Sequence, residues 1–218
     1  MCLYVILAPM KTLIAHLELS PNLQGRTRER CPNVVWMVDG EEVAAIRTDV
    51  ERPTLPLADG DVHLIEIQDD ALSRVMDEAA WLAECQRVLA VDGEIRFTLP
   101  ASGPLAWLDT MNMYRYAVDI GKRGDQPDAA LPTGWNRHYS LEDISLLLHD
   151  AGFDAMHLHS ANYAANEVLL FMRLVWRNWI GGDRKAESEV FPGYGRRVFG
   201  THRSPIRTTW NVSARNRG

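Results

Sequence analysis

Residues 55–100 read LPLADGDVHLIEIQDDALSRVMDEAAWLAECQRVLAVDGEIRFTLP, and this stretch decides the fold. The turn signal Asp59-Gly60-Asp61 precedes a short, mostly apolar strand at residues 62–67. A helix face is then predicted by residues three or four apart: Val75, Ala79, Leu82, Gln86 and Leu89. Asp92-Gly93 is predicted to end that helix, and residues 94–99 alternate as a strand does. Strand, crossover helix and strand form a βαβ unit, so the sequence predicts a parallel sheet with ligands at the carboxyl ends of its strands.

Further elements are predicted on both sides of this unit. Three upstream strands are expected at residues 11–17, 33–38 and 43–46, and a downstream strand at 154–160. Between the upstream strands and this one, Ser140 is a candidate N-cap, Asp143 would complete its capping box, and Gly152 would end the helix. Helical patterns also occur at residues 105–120 and 167–179.

The composition is that of an ordinary globular protein. The chain has 218 residues, 46% hydrophobic and 24% charged, with a formal net charge of -6 that argues against general nucleic-acid binding. Scattered Cys2, Cys31 and Cys85 give neither a disulfide framework nor a zinc signature, and Cys85 is expected to be a buried free thiol. We therefore expect a cytoplasmic protein, without a membrane partner, forming one domain over residues 1–218. That domain would have an N-terminal extension at 1–10 and a helical and loop insertion at 161–208.

Four segments, in this order, form a recognisable set: 55–65 (LPLADGDVHLI), 84–95 (ECQRVLAVDGEI), 137–153 (RHYSLEDISLLLHDAGF) and 209–215 (TWNVSAR). They resemble the LPF-DGSFDLV, E-RVLKPGG-L, RHFT-EEL…L-EAGF and NLWVVARK segments of class I S-adenosylmethionine-dependent methyltransferases. The resemblance implies an α/β fold with a Rossmann-like doubly wound sheet. That sheet would be mostly parallel, with an antiparallel C-terminal strand and helices on both faces.

The same resemblance implies a binding site for S-adenosylmethionine, with one departure. Family members have a glycine-rich turn after the first strand, where the backbone passes close to the cofactor. The matching positions here fall near His16 and Glu18, which are both bulky. This departure indicates a cofactor pocket that is altered or lost, unless the alignment is shifted and Gly25 serves in part.

Acidic residues match three other family positions. Asp39, after the second strand, corresponds to the acid that accepts hydrogen bonds from the ribose hydroxyls, and Asp49 to the position near the adenine. Asp69 and Asp70 follow the fourth strand, where the family places a residue near the methyl donor or the acceptor. Three of these acids also have a structural interpretation: Asp39 as a turn residue, Asp69 and Asp70 as helix N-caps.

The catalytic and substrate-binding candidates come from the same family pattern. His138 and Asp70 are the candidate general bases. His157 and His159 share one strand face, but no further ligand has a metal-binding spacing, so we predict no metal site. The candidate substrate-binding residues are Trp107, Met111, Tyr114 and Trp135, and the helical spacing of the first three also fits core packing.

Three functions remain open at this point. The first is methyl transfer to a small molecule in specialised metabolism, with a proton removed by His138 or Asp70. The second is another reaction in the same fold, a cyclisation or elimination, as in some natural-product members of the family. The third is a non-catalytic partner subunit, because an amphipathic helix at residues 167–180 is suited to a homodimer or a partner protein.

Overall fold

The structure is a computed structural model that describes residues 10–18, 33–68, 70–103, 106, 137–161, 168, 172 and 209–217. Within these residues the chain forms a seven-stranded sheet with strand order β3-β2-β1-β4-β5-β7-β6. The strands are β1 (Thr12–Glu18), β2 (Asn33–Val38), β3 (Glu41–Arg47), β4 (Val62–Ile67), β5 (Leu89–Pro100), β6 (Phe153–Ala161) and β7 (Thr209–Asn216). The helices are a short 3-10 helix (Ala71–Arg74), α1 (Glu78–Val88) and α2 (Leu141–Asp150).

The centre of the sheet is the βαβ unit that the sequence predicted. β4 pairs in parallel with β1 on one side and with β5 on the other, and α1 makes the crossover between β4 and β5. Asp77 caps α1 by accepting a hydrogen bond from the Ala80 N–H at 3.0 Å. The helix ends at Val88, earlier than Asp92-Gly93, because Leu89 already belongs to β5.

The strand order is that of a doubly wound sheet, 3-2-1-4-5-6, with β7 inserted between β5 and β6. The predicted Rossmann-like α/β class is therefore confirmed, and so is the antiparallel C-terminal strand. The sheet was predicted to be mostly parallel, but four of its six strand pairs are antiparallel. Two of those four pairs, β1 with β2 and β2 with β3, lie in the half of the sheet where parallel strands were expected.

A tight turn explains the antiparallel pairing of β2 with β3. Only Asp39 and Gly40 separate the two strands, and both have positive φ, 52° and 86°. These values are typical of a type I′ turn, whose twist matches that of a two-stranded hairpin. A connection of two residues leaves no room for the crossover that parallel strands need.

One face of the sheet carries the hydrophobic core. Leu13, Ile65 and Ile95 are fully buried neighbours across β1, β4 and β5. α1 covers this face, and the indoles of Trp36 and Trp81 stack with ring centroids 5.9 Å apart. α2 packs on β6 and against α1, so both described α-helices lie on this face. The helices predicted at 105–120 and 167–179 fall largely outside the described residues.

The opposite face is polar at its centre. Arg96 of β5 donates from Nε to the Glu94 carboxylate at 2.7 Å, and its Nη1 lies 3.8 Å from the Glu66 carboxylate on β4. Ser213 of β7 also donates to Glu94. All of these side chains except that of Ser213 are charged, so the face does not offer an apolar surface at this point.

The predicted capping of α2 is confirmed. The Asp143 N–H donates to Ser140 Oγ, and the Ser140 N–H donates to Asp143 Oδ2 at 2.7 Å, which is a complete capping box. Gly152 follows the helix with φ 83°. In the described part of the chain, no helix is both long enough and apolar enough to cross a membrane.

Candidate functional site

One edge of the sheet contains the carboxyl ends of β1, β3, β4 and β5. β1, β4 and β5 are parallel, and β3 runs in the same direction as β1 because two antiparallel pairings separate them. We call this the carboxyl edge. Asp49 follows β3, Asp70 follows β4, and Thr98 lies near the end of β5. Ligands of doubly wound sheets bind outside such an edge, where the strand order reverses.

Asp70 is the most unusual residue at the carboxyl edge. It is 3% exposed, and its backbone is left-handed, with φ 52° and ψ 29°. Although Asp70 occupies the N-cap position of the 3-10 helix, its side chain makes no capping bond. Its Oδ1 instead accepts a hydrogen bond of 2.6 Å from Thr98 Oγ1, and Thr98 is 4% exposed. The carboxylate is thus turned towards β5 and held there.

This arrangement costs free energy. A left-handed conformation at a residue other than glycine costs on the order of 1 kcal/mol, and a buried carboxylate must regain by hydrogen bonding what it loses in hydration. The hydroxyl of Thr98 supplies one such bond. Capping, the structural interpretation of Asp70, does not account for where its side chain points.

Arg137 holds the segment with His138 against the 3-10 helix. Its backbone N–H donates to the Ser73 carbonyl at 3.3 Å, and its guanidinium donates to the Val75 carbonyl. The same guanidinium pairs with Glu78 at 2.8 Å. One side of His138 is therefore fixed to the chain that directly follows Asp70.

Tyr139 holds the other side of His138 against β5 and β7. Its N–H donates to the Pro100 carbonyl at 2.9 Å, and its carbonyl accepts from Trp210 Nε1 at 2.9 Å. Burial raises the pKa of the Tyr139 phenol, which stays protonated and donates to Glu78 at 3.1 Å. The structure thus places half-buried His138 between the end of β5 and the 3-10 helix, in the same part of the edge as Asp70.

The residues predicted for the cofactor are dispersed. Asp49 lies at the carboxyl edge, where Arg47 donates two hydrogen bonds to its carboxylate, at 2.9 and 2.7 Å. His16 lies within β1 opposite Val35, half-buried on the polar face. Glu18 ends β1 at the carboxyl edge, but its side chain and the whole of Asp69 lie outside the described residues.

Asp39 lies at the opposite edge of the sheet. Because β2 is antiparallel to β1, its carboxyl end is at the amino end of β1. Asp39 is exposed there in the two-residue turn with Gly40, so the turn interpretation describes its place. Six residues at ~3.4 Å each separate it from Asn33, which puts Asp39 about 20 Å from the carboxyl edge.

Several candidates stay predictions. Trp107, Met111, Tyr114 and Trp135 lie outside the described residues, and so does most of the helix predicted at 167–180. From that last segment the structure describes Val168 and Met172, which are both exposed.

The histidine pair and Cys85 are described. His157 and His159 lie on one face, as predicted, with ring centroids 5.9 Å apart. In the part of the chain that the structure describes, no three His, Cys, Asp or Glu side chains are grouped to hold a metal ion. Cys85 is a buried free thiol, as expected, and burial raises its pKa.

The sequence did not identify the residues that orient the two candidates. Thr98 and Glu78 reach the site through the register between β4 and β5 and through the position of α1, which single-sequence patterns do not give. A weak signal was present at Thr98, a polar residue between apolar Phe97 and Leu99 at the end of a strand. Arg137 begins the segment at residues 137–153 that supported the family resemblance, but it was assigned no role in the site.

No family model and no curated protein matches this chain. Solved structures similar to it include an S-adenosylmethionine-dependent methyltransferase from Methanosarcina mazei, with 14% identity, a TM-score of 0.39, and coverage of 75% of this chain and 63% of the other. A second such methyltransferase, from Mesorhizobium loti, has 14% identity, a TM-score of 0.40, and coverage of 77% and 67%. The [4+2]-cyclase SpnF has 14% identity, a TM-score of 0.41, and coverage of 75% and 52%.

The fold class is Rossmann-like α/β. This was predicted from the four motifs, and the strand order of the sheet agrees with it. The chain spans about half to two thirds of the length of the three proteins named above. At such low identities the likeness concerns the fold alone.

The described residues do not fit S-adenosylmethionine in the way that the sequence implied. The acid assigned to the ribose, Asp39, faces solvent at the wrong edge. The acid assigned to the adenine, Asp49, is at the right edge but paired with Arg47. The turn after β1 lies outside the described residues, so the misfit that the structure describes is that of Asp39.

Proposed function

We propose that this chain is an enzyme that acts on a small molecule at the carboxyl edge, with Asp70 as the proton acceptor. The observation that carries the proposal is the buried Asp70 carboxylate, which is bonded to Thr98 rather than used as a helix cap. Buried and oriented carboxylates at strand ends are suited to general base catalysis, since a proton is removed in a site that excludes water.

The chemistry follows from the two candidate bases. Asp70 takes a proton from the substrate and leaves an electron pair on it, and His138 can donate a proton to another substrate atom. Arg137 and Tyr139 fix the chain on either side of His138, and the site therefore keeps its geometry between binding and proton transfer. These two groups are suited to an elimination or to a cyclisation that proceeds by proton transfer; a methyl transfer would need the acceptor's proton removed by the same base.

The experiment compares wild type with Asp70→Asn in a small-molecule extract of the source cells, with and without added S-adenosylmethionine. Mass spectrometry measures which compounds each protein consumes or forms. We expect at least one conversion by wild type and a loss of 100-fold or more, on the order of a removed general base, in Asp70→Asn. Asparagine tolerates the left-handed backbone, and its amide oxygen can accept from Thr98, so the variant should keep the fold.

Asp39→Asn is the matched control, because it makes the same change at the opposite edge and should convert like wild type. Equal conversion by Asp70→Asn and wild type would contradict the role of Asp70. If wild type converts no compound under either condition, the chain is no enzyme for these small molecules, and a non-catalytic subunit becomes the better account.

We also propose a cytoplasmic location. It is supported by the free thiol of Cys85 and by the scattered cysteines, a pattern that suits a reducing compartment. Fractionation of source cells followed by immunoblotting tests it, and recovery of the protein in a secreted or membrane fraction would contradict it.

A further inference from the structure

The direction of β2 sets this sheet apart from a doubly wound sheet that binds nucleosides. There, β2 runs parallel to β1, and the acid after it reaches the ribose hydroxyls at the carboxyl edge. Here β2 is antiparallel to β1 over six residue pairs, from Leu13 opposite Val38 to Glu18 opposite Asn33. The amino end of β2 therefore stands at the carboxyl edge.

We infer that this enzyme works without a nucleoside cofactor. The inference deepens the proposed function and rests on it for the reaction, but the observation behind it is a different one. A hydrogen bond to a ribose hydroxyl spans 2.5–3.0 Å, whereas Asp39 lies about 20 Å from the carboxyl edge. No movement of the Asp39 side chain closes that gap. Only a reversal of the strand would.

The side chains that the structure describes beside the amino end of β2 are those of Asn33 and Arg47, and neither is an acid. Asn33 begins β2, between Glu18 of β1 and Arg47 of β3. Arg47 binds Asp49 at the surface, where ion pairs contribute about 0–1 kcal/mol, so a ligand could displace it. The pairing of Asp49 therefore does not decide the question, but the direction of β2 does.

Without a nucleoside cofactor, Asp70 and His138 are suited to a reaction that is complete within the substrate. Asp70 takes a proton, and the freed electron pair forms a new π bond or ring bond. In an elimination the leaving group departs with its own bonding pair. In a cyclisation the pair that Asp70 frees adds to an unsaturated carbon of the same substrate, and a proton from His138 completes the product. Neither sequence consumes an oxidant, a reductant or a methyl donor.

Calorimetry and thermal unfolding with S-adenosylmethionine and S-adenosylhomocysteine test the inference on the whole chain. A cooperative melt first establishes that the sample is folded. We expect no heat of binding and no change in Tm at millimolar ligand. A micromolar Kd would overturn the inference, and at a hundredfold excess over that Kd it would raise Tm by roughly 5–10 °C.

Asp39→Asn and the extract experiment separate this inference from the proposed function. Cofactor binding by wild type that is lost in Asp39→Asn would show that β2 is not reversed. A conversion that occurs only with added S-adenosylmethionine, and is lost in Asp70→Asn, would overturn this inference and leave the role of Asp70 in place. A conversion without the cofactor that needs Asp70 supports both.

Discussion

A single guanidinium connects two of the motifs that indicated the fold. Arg87 donates to the Leu57 carbonyl at 2.9 Å and to the Leu55 carbonyl at 3.1 Å, and it pairs with Asp59 and Glu84, each at 2.6 Å. The Leu55 N–H in turn donates to Glu84 at 2.6 Å. Residues 55–59 and 84–87 therefore occur together because they bind each other. The two motifs therefore indicate the architecture of the chain and carry no information about the reaction.

Arg87→Lys tests this connection. A lysine keeps the charge but loses the fork that holds two carbonyls and two carboxylates, and the free energy of unfolding should fall by about 1–3 kcal/mol. Urea denaturation at neutral pH measures it. Arg52→Lys, at an exposed position on the same segment of chain, is the control and should unfold like wild type. Equal stabilities for all three proteins would refute the structural role of Arg87.

The position of each strand was predictable from the sequence, but the direction of β2 was not. Alternating burial identifies a strand equally well whichever way it runs. The fourteen residues between β1 and β2 are also long enough for a parallel crossover. The prediction of a parallel β2 therefore followed the family resemblance. Asp39-Gly40 between two strands was the stronger signal, because it is typical of a hairpin.

The candidate site, too, could be predicted only in part from the sequence. Asp70 and His138 were predicted from short continuous segments, one after a strand and one before a helix. Local sequence was therefore enough to find them. Thr98, which binds Asp70, is 28 residues away from it in the chain. Glu78, which binds Tyr139 beside His138, is 61 residues away from that tyrosine. Register and helix placement are properties of the folded sheet, and a single sequence does not carry them.

A disulfide can trap the direction of β2. Ile14 and Met37 are paired on the polar face, so Ile14→Cys with Met37→Cys should close a disulfide, which needs Cα atoms 4.4–6.8 Å apart. His16→Cys with Met37→Cys is the control: it is two residues out of register, at about 8 Å, and should stay reduced. Mass spectrometry after mild oxidation counts free thiols in a background lacking Cys2 and Cys31. Closure of the control pair alone would contradict the antiparallel register.

Across the whole molecule, the two faces of the sheet differ in how they respond to acid. The core face is apolar, while carboxylates of the polar face and of α1 depend on arginines. Arg96 is the largest influence on Glu94 and lowers its pKa. For Glu84, burial alone would raise the pKa, but hydrogen bonds from Arg87 and the Leu55 N–H outweigh burial and lower it.

These lowered pKa values predict a loss of stability in acid. Below the pKa of the unfolded chain, about 4.3 for glutamate, the unfolded state binds more protons than the native state. The stabilisation from Glu84 and Glu94 is therefore present above that pH and lost as pH falls through the native pKa. We expect the urea midpoint of wild type to fall between about pH 5 and pH 3, and less steeply in Glu94→Gln. Glu51→Gln, at an exposed position, should fall as wild type does; an unchanged slope in Glu94→Gln would be evidence against this account.

The two-residue turn between β2 and β3 also has a consequence for how the chain folds. Hairpins form within about 1–10 μs, because closing a short loop loses little chain entropy. The parallel pairing of β1 with β4 joins residues about fifty positions apart, so we expect it to form more slowly than the hairpin. Two of the seven described strands can therefore assemble from neighbouring sequence alone, and we expect the slow step at the parallel pairings of β4, which precedes Asp70, and β5, which contains Thr98.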